Sequence, residues 1–270
     1  MRVQSATEPG SPGHPNEDFT ATAVPAGGTG GALVLLDGVT GPAAESGTPP
    51  GGCGHGVAWF AARLGGTLLE RCAAARESPL RACLAEAISR CAHAHRAACD
   101  LSHPRTPQAT VVCARWDEHD VEYLVLSDSV LLIEDHEGAV RPVLDSRLDD
   151  LLPAARRLPR AERVAWIESM RNAPGGFFTA AADPAVADRA VTGVVPRGEV
   201  RSLAALTDGV GRWVETFRLG GWSDLFTVLA GPGPAEAIRQ VRAAELADPD
   251  GAAFPRGKAH DDATAVLALL

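Results

Sequence analysis

From Gly31 to Leu36 the chain is continuously apolar, and it turns polar at Asp37-Gly38. A short run of this kind, closed by an acidic residue and a glycine, predicts a strand buried on both faces. Val200–Leu206 repeats the form and ends in Thr207-Asp208-Gly209, while Ala263–Leu270 begins just after Asp261-Asp262. Val57, Phe60, Ala61, Leu64 and Leu68 recur at helical spacing, and further helices are predicted over Leu80–Ala98, Ser223–Ala230 and Pro234–Leu246. Ala109–Arg115, Val121–Ser127, Ser129–Glu134 and Ala139–Leu144 read as short strands with close connections, which favour antiparallel pairing. Met1–Thr7 reads as an edge strand, after which Pro9, Gly10, Pro12, Gly13 and Pro15 enforce a loop that delivers Asn16-Glu17-Asp18. Gly41–Gly54 is expected to be a loop, and Ala26–Gly31 a hairpin turn. Asp145–Pro196 is mixed, with one helix near Ala161–Arg171 and a break at Pro174–Gly176. Strands, helices, strands, helices and a last strand fit segregated α+β layers better than a βαβ repeat.

Composition narrows the class. The 270 residues, 46% hydrophobic and 22% charged, suit one globular domain with a sizeable core. A net charge of -9 disfavours nucleic acid and anionic membrane as partners. No apolar run reaches the length needed to cross a bilayer, and a cytoplasmic protein is expected. The six cysteines form no CxxC pair, so reduced thiols are expected. Cys91, His95 and Cys99 share a helical face at a spacing that would suit zinc, but Leu80, Leu84, Ala87 and Ile88 continue that face, which favours core. Trp59, Trp116, Trp166, Trp213 and Trp222 are too scattered for a base-stacking platform.

The candidate chemistry lies in the strand-end aspartates. A single Asp-Gly most often marks a turn. Several carboxylates brought together from distant parts of a chain resist ionisation unless a cation sits among them, and oxygen-only ligands favour magnesium or manganese. A glycine after such an aspartate also lets a backbone carbonyl come close to an ion.

The joint order Asn16-Glu17-Asp18, Asp37-Gly38, Ala109-Thr110, Ser127-Asp128-Ser129, Thr207-Asp208-Gly209 and Asp261-Asp262-Ala263-Thr264 resembles the type 2C family of metal-dependent serine/threonine protein phosphatases, in its bacterial single-domain form. The match runs over nearly the whole chain. The resemblance implies a single domain over residues 1–270, an αββα sandwich of two antiparallel sheets flanked by helices, with a variable flap at about 145–196. It implies a binuclear Mn2+ or Mg2+ centre in which Asp37 bridges two ions, the Gly38 carbonyl joins one, and Asp208 and Asp261 bind the other. Glu17 and Asp18 would support the centre through water, and Asp128 with Asp208 would take a third, weaker ion. Asp37, Asp208, Glu17 and Asp18 are thus the implied catalytic set. The implied reaction is attack of a metal-bridging hydroxide on phosphoserine or phosphothreonine of a phosphoprotein.

Two departures from the family pattern stand out. Gly13 occupies the position where an arginine often clamps substrate phosphate, leaving His14, Arg2 and Arg212 as candidate replacements. Asp37-Gly38-Val39-Thr40-Gly41 lacks the usual glycine pair and offers no histidine as a proton donor. Ser127 stands where glycine is usual, a mild change provided serine adopts the backbone angles. Arg156, Arg157, Arg160 and Arg163 in the flap region read as a solvated helix face ahead of a phosphoprotein contact. An active phosphatase is the leading expectation. The alternatives are a catalytically weak pseudophosphatase that sequesters a partner or phosphopeptide, and a hydrolase of small phosphorylated metabolites.

Overall fold

The computed structural model describes residues 1–25, 27, 29–40 and 52–270. Ala26, Gly28 and residues 41–51, Gly41 of the acidic motif among them, lie outside the described residues, so the loop expected there and the tip of the expected hairpin are not judged.

In chain order the elements are β1 (Arg2–Glu8), β2 (Phe19–Ala23), β3 (Gly31–Leu36), β4 (Gly38–Val39), α1 (Val57–Ala74), α2 (Leu80–His95), β5 (Gln108–Ala109), β6 (Val111–Trp116), β7 (Asp120–Leu126), β8 (Val130–Glu134) and β9 (Val140–Val143). There follow α3 (Arg147–Ala155), α4 (Arg160–Ser169), β10 (Val191–Pro196), β11 (Ser202–Leu206), α5 (Asp208–Glu215), α6 (Trp222–Ala230), α7 (Pro234–Ala247) and β12 (Ala263–Leu269). One five-stranded antiparallel sheet has the order β1-β12-β11-β8-β9, and a second has the order β10-β7-β6-β3-β2.

Three apolar layers hold these sheets. Leu33, Leu35, Val112 and Ala114 of one sheet meet Leu131, Leu203, Ala205 and Val266 of the other. The alternate residues Ala32, Val34 and Leu36 turn outward onto Phe60, Leu64, Leu84 and Ile88 of α1 and α2. Ala204, Leu206, Ala265 and Leu267 likewise face Leu225, Ile238 and Val241 of the helices behind them. All six residues of β3 are therefore buried, and the pattern of alternating faces hides inside a continuous apolar run. Each fully buried leucine contributes roughly 1.5–3 kcal/mol, so covering both faces of the sheets is a large part of what holds the sandwich. The expected αββα architecture is the observed one.

The register decides what reaches the site. Glu8 pairs with Ala263, at the end of β12 next to Asp261, whereas Arg2 pairs with Leu269. Six residue steps along the strand separate the two ends, about 20 Å, so Arg2 cannot serve the acidic cluster. Among the described residues no helix is long and apolar enough to cross a membrane.

Candidate active site

Asp37 lies in the kink between β3 and β4. Its backbone N–H donates to Thr110 Oγ1 at 3.2 Å, and its carbonyl accepts the Thr110 N–H at 2.9 Å. Thr110 Oγ1 lies 2.5 Å from Ser129 Oγ, which ties the start of β8 to the same corner. Asp208 is the first residue of α5, where the N-terminal dipole favours a negative side chain. Its helix springs directly from the end of β11, an arrangement that the Asp-Gly pair concealed.

The glycines after these aspartates are not turn residues: Gly38 opens β4, Gly209 lies in the first turn of α5, and neither has a positive φ. A Cβ on Gly38 would lie 2.5 Å from the Glu17 carbonyl oxygen and 2.6 Å from Val57 Cγ1. One on Gly209 would meet the Asp262 carbonyl oxygen. Both positions require glycine because backbone from a distant segment packs onto them.

The two acids before β12 divide their work. Asp262 accepts the N–H of Gly10 at 2.7 Å and of Glu17 at 2.6 Å, clamping the N-terminal loop over the sheet edge. Asp261 faces the cleft, where Oδ2 accepts from Arg212 at 2.8 Å and Oδ1 from Lys258 at 2.8 Å. Asp18 Oδ2 accepts from Thr207 Oγ1 at 3.0 Å and Thr264 Oγ1 at 2.7 Å, leaving Oδ1 buried without a partner. Glu17 accepts from Thr40 Oγ1 at 2.8 Å.

Asp37, Gly38, Asp128, Asp208 and Asp261 line one cavity of about 340 Å³, together with Thr40, Thr110, Arg212, Lys258 and Arg171, which follows α4. At about 30 Å³ per water, that is room for roughly ten waters, enough for ions and a phosphoryl group together. Burial, then the neighbouring charges of Asp208, Asp18, Asp128 and Asp261, pushes the Asp37 carboxyl well above its ordinary range. Burial raises Asp18 to about 8 and Asp208 to about 6, with other carboxylates adding to both shifts. Burial also raises Asp128 and Glu17. Such a ring of acids stores like-charge repulsion that a divalent cation would relieve.

The phosphate-contact candidates fare differently. His14 is exposed and lines an adjoining pocket with Glu17, Thr40, Lys258 and His260; it does not line the acidic cavity. Arg212 does line the cavity but is buried, and its other arm donates to Glu245 Oε1 at 2.7 Å. It organises Asp261 and is not a free cation. Arg163 bonds the carbonyls of Leu158 and Arg156, so it braces α4 against the end of α3. Arg156, Arg157 and Arg160 are exposed, in keeping with a solvated face.

Sequence reasoning missed two cations. Lys258 donates to Thr40 Oγ1 at 2.9 Å as well as to Asp261. Burial opposes its charge, yet Asp261, Asp208 and Asp37 outweigh that effect and raise its pKa. It is the only lysine in the chain, a signal the sequence did offer. Arg171 stacks on Phe177 at 4.8 Å, bonds Glu168 at 2.7 Å and has a buried Nε without a partner; no local sequence feature announced it. Ser127 adopts φ 68°, the left-handed region that glycine supplies more cheaply, with its N–H on Asp145 Oδ2 at 2.9 Å.

Solved structures share this architecture. The Staphylococcus aureus serine/threonine phosphatase Stp1 superposes with a TM-score of 0.62 at 15% identity, covering 100% of this chain and 95% of that one. PppA, a regulatory component of T6SS in Pseudomonas aeruginosa, gives 0.57 at 19% identity, over 98% and 96%. The Mycobacterium tuberculosis serine/threonine phosphatase PstP/Ppp gives 0.57 at 15% identity, over 100% and 98%. At these identities the likeness speaks for the fold alone. No curated protein sequence matches the chain. The protein phosphatase 2C family model matches residues 10–246, and this chain is a member of the protein phosphatase 2C family.

Proposed function

We propose that this chain hydrolyses phosphoserine and phosphothreonine esters of proteins, using two divalent ions, Mn2+ or Mg2+, held in the acidic cleft. The observation that carries the reading is the convergence of Asp37, Asp128, Asp208 and Asp261 with Lys258 around one cavity, with Asp18 buried behind it on Thr207. The donor set fits such ions: it is all oxygen, it is acidic beyond what its own cations neutralise, and it includes the unpartnered Asp18 Oδ1. Asp37, the Gly38 carbonyl, Asp208 and Asp261 would hold the two ions, Asp128 with Asp208 would offer a third position, and Glu17 and Asp18 would orient water beside them. When bound, the ions supply Lewis acidity toward phosphoryl oxygens and make water in the cleft more acidic.

The chain's own groups supply the rest. Lys258 from the loop before β12 and Arg171 from the flap, both lining the cavity, provide positive charge for phosphate oxygens in place of an arginine at position 13. Leu148, Ile167 and Phe177 of the flap region wall the cleft and reduce its exposure to water. Val39 has no proton to give, so the departing serine or threonine oxygen takes its proton from solvent or from a cleft carboxyl.

Hydrolysis of a phosphothreonine peptide and of p-nitrophenyl phosphate, with and without manganese, tests the reading. The expected result is metal-dependent turnover in the wild type and its loss in Asp37→Asn and Asp208→Asn at matched folding. Manganese binding without turnover would replace the reading with a sequestering protein, and preference for small phosphate esters would redirect it to metabolites.

A further inference from the structure

We propose that Cys53, His55, His95 and Cys99 form a second metal site, a tetrahedral Cys2His2 centre for zinc that is separate from the carboxylate cleft. Each residue offers one ligand atom, and all four atoms lie within 4.8 Å of one another. Among the described residues this is the only group of three or more His, Cys, Asp or Glu side chains that meets the condition.

The S···N edges of the cluster come close to those of a coordination tetrahedron. Zn–S bonds near 2.3 Å and Zn–N bonds near 2.0–2.1 Å imply S···N edges of about 3.5 Å and an S···S edge of about 3.8 Å. Cys53 Sγ lies 3.6 Å from His55 Nδ1 and 3.5 Å from His95 Nδ1, and Cys99 Sγ lies 3.2 Å from His55 Nδ1. The two sulfurs are 2.9 Å apart, so that edge must open by about 0.9 Å and the Cys99–His55 edge by about 0.3 Å to admit the ion. Two thiolates would neutralise the dication, which lets the centre sit against apolar packing without a net buried charge.

The surroundings hold the ligands in place. Cys53 and His95 are each 2% exposed, while His55 lies at the surface and leaves an entry path. The His55 ring stacks on Trp59 at 4.3 Å, and Trp59 in turn packs on His95 at 5.2 Å. The Asp100 N–H donates to the Gly52 carbonyl at 2.9 Å, fixing the residues next to Cys99 and Cys53 side by side. Cys91, which shares a helical face with His95 in sequence, points instead into the core beside Ile88. Of the Cys91, His95 and Cys99 spacing, the core reading holds for Cys91, while the proposed centre takes His95 and Cys99 together with Cys53 and His55 from the segment before α1.

Such a centre would pin the start of α1 to the end of α2. Val57, the first residue of α1, is the side chain that crowds Gly38 in the acidic cleft. The zinc would thereby hold one wall of that cleft without taking part in its chemistry.

Metal analysis of the purified full chain under reducing conditions tests the proposal. One equivalent of tightly held zinc is expected in the wild type and equally in Asp37→Asn with Asp208→Asn, which disturb only the carboxylate cleft. Zinc should be lost in Cys53→Ser with Cys99→Ser, and also in the surface variant His55→Ala, whose fold is not at risk. Cobalt substitution should give the visible ligand-field bands of a tetrahedral ion and a thiolate charge-transfer band, both absent in the cysteine variants. A chain that holds no zinc under reducing conditions, zinc that survives the loss of both cysteines, or a Cys53–Cys99 disulfide as the stable form would overturn it.

Discussion

Lys258, the sole lysine of the chain, holds its ammonium 2.8 Å from Asp261 Oδ1 while Arg212 takes the other oxygen of the same carboxylate, also at 2.8 Å. The two cations are not equivalent. Arg212 is buried and spends its second arm on the fully buried Glu245, whereas the Lys258 side chain is about half exposed and faces the open cavity. Lys258 can therefore leave Asp261 for an incoming phosphoryl oxygen, whereas Arg212 is held between two carboxylates and would leave Glu245 Oε1 and Asp261 Oδ2 without it.

Lys258→Met should accordingly lower kcat/KM for a phosphothreonine peptide by about tenfold, equivalent to about 1.4 kcal/mol of transition-state stabilisation. Lys258→Arg should recover most of the loss, because the charge is kept. Steady-state kinetics at saturating manganese decide the matter, and unchanged kcat/KM in Lys258→Met would remove the residue from phosphate handling.

Gly13 stands in open space: no atom lies within 4 Å of where its Cβ would be, and its φ is not positive. An arginine is thus accommodated without strain. Its loop borders the pocket that shares Thr40, Lys258 and Asp261 with the acidic cavity. Gly13→Arg should leave the melting temperature unchanged and raise kcat/KM by about tenfold, the scale of one added charge-assisted contact to phosphate. A drop in activity with intact folding would show that the guanidinium does not reach the substrate.

The metal-free cleft should make stability fall as the pH rises. A carboxyl whose folded pKa is raised binds its proton more tightly when folded, so its contribution is fully present below its ordinary value of 3.8. That contribution is lost as the pH passes about 6 for Asp208 and about 8 for Asp18. In chelator, the melting temperature should decline from about pH 4, with the Asp208 part complete near 6 and the Asp18 part near 8, and the loss should reach several kcal/mol, at about 1.4 kcal/mol per pKa unit. Manganese should abolish the slope by replacing protons. Calorimetry across that range, with and without the metal, measures both limbs.

Much of the fold and of the acidic cleft is legible in the sequence, and the reasons lie in particular residues. A strand such as Gly31–Leu36, buried on both faces and closed by Asp37, sets a carboxylate at the edge of the core, and three such strand ends in one chain imply convergence. The start of α5 at Asp208 was not legible, because Gly209 and Gly211 are poor helix formers and Asp-Gly reads as a turn. α3 was missed inside a stretch where Pro153 interrupts the pattern. Arg2 looked available because sequence carries no register, and pairing with Leu269 sends it to the far end of the sheet. The Cys53 and Cys99 sulfurs meet across 46 residues, a distance no local pattern spans.

Ser127 tests how the chain tolerates a departure from its family at the strand turn that presents Asp128. Its φ of 68° costs a residue with a Cβ roughly 1–2 kcal/mol relative to glycine. Two bonds offset that cost: the backbone N–H to Asp145 Oδ2 at 2.9 Å, which glycine would keep, and Oγ to Asp128 Oδ1 at 3.1 Å, which glycine would lose. A bond of that length to a carboxylate already raised by burial is weak, so relief of backbone strain should win over its loss, even after the greater freedom of glycine in the unfolded chain. Ser127→Gly should therefore raise the unfolding free energy by about 0.5 kcal/mol in chelator. Because the Asp128 carboxylate is freed from its neighbour, affinity for a third divalent ion should rise as well. Urea denaturation with matched slopes checks the first claim and manganese titration of activity the second; a destabilised variant would mean that the serine hydroxyl, and not the backbone angle, dominates this turn.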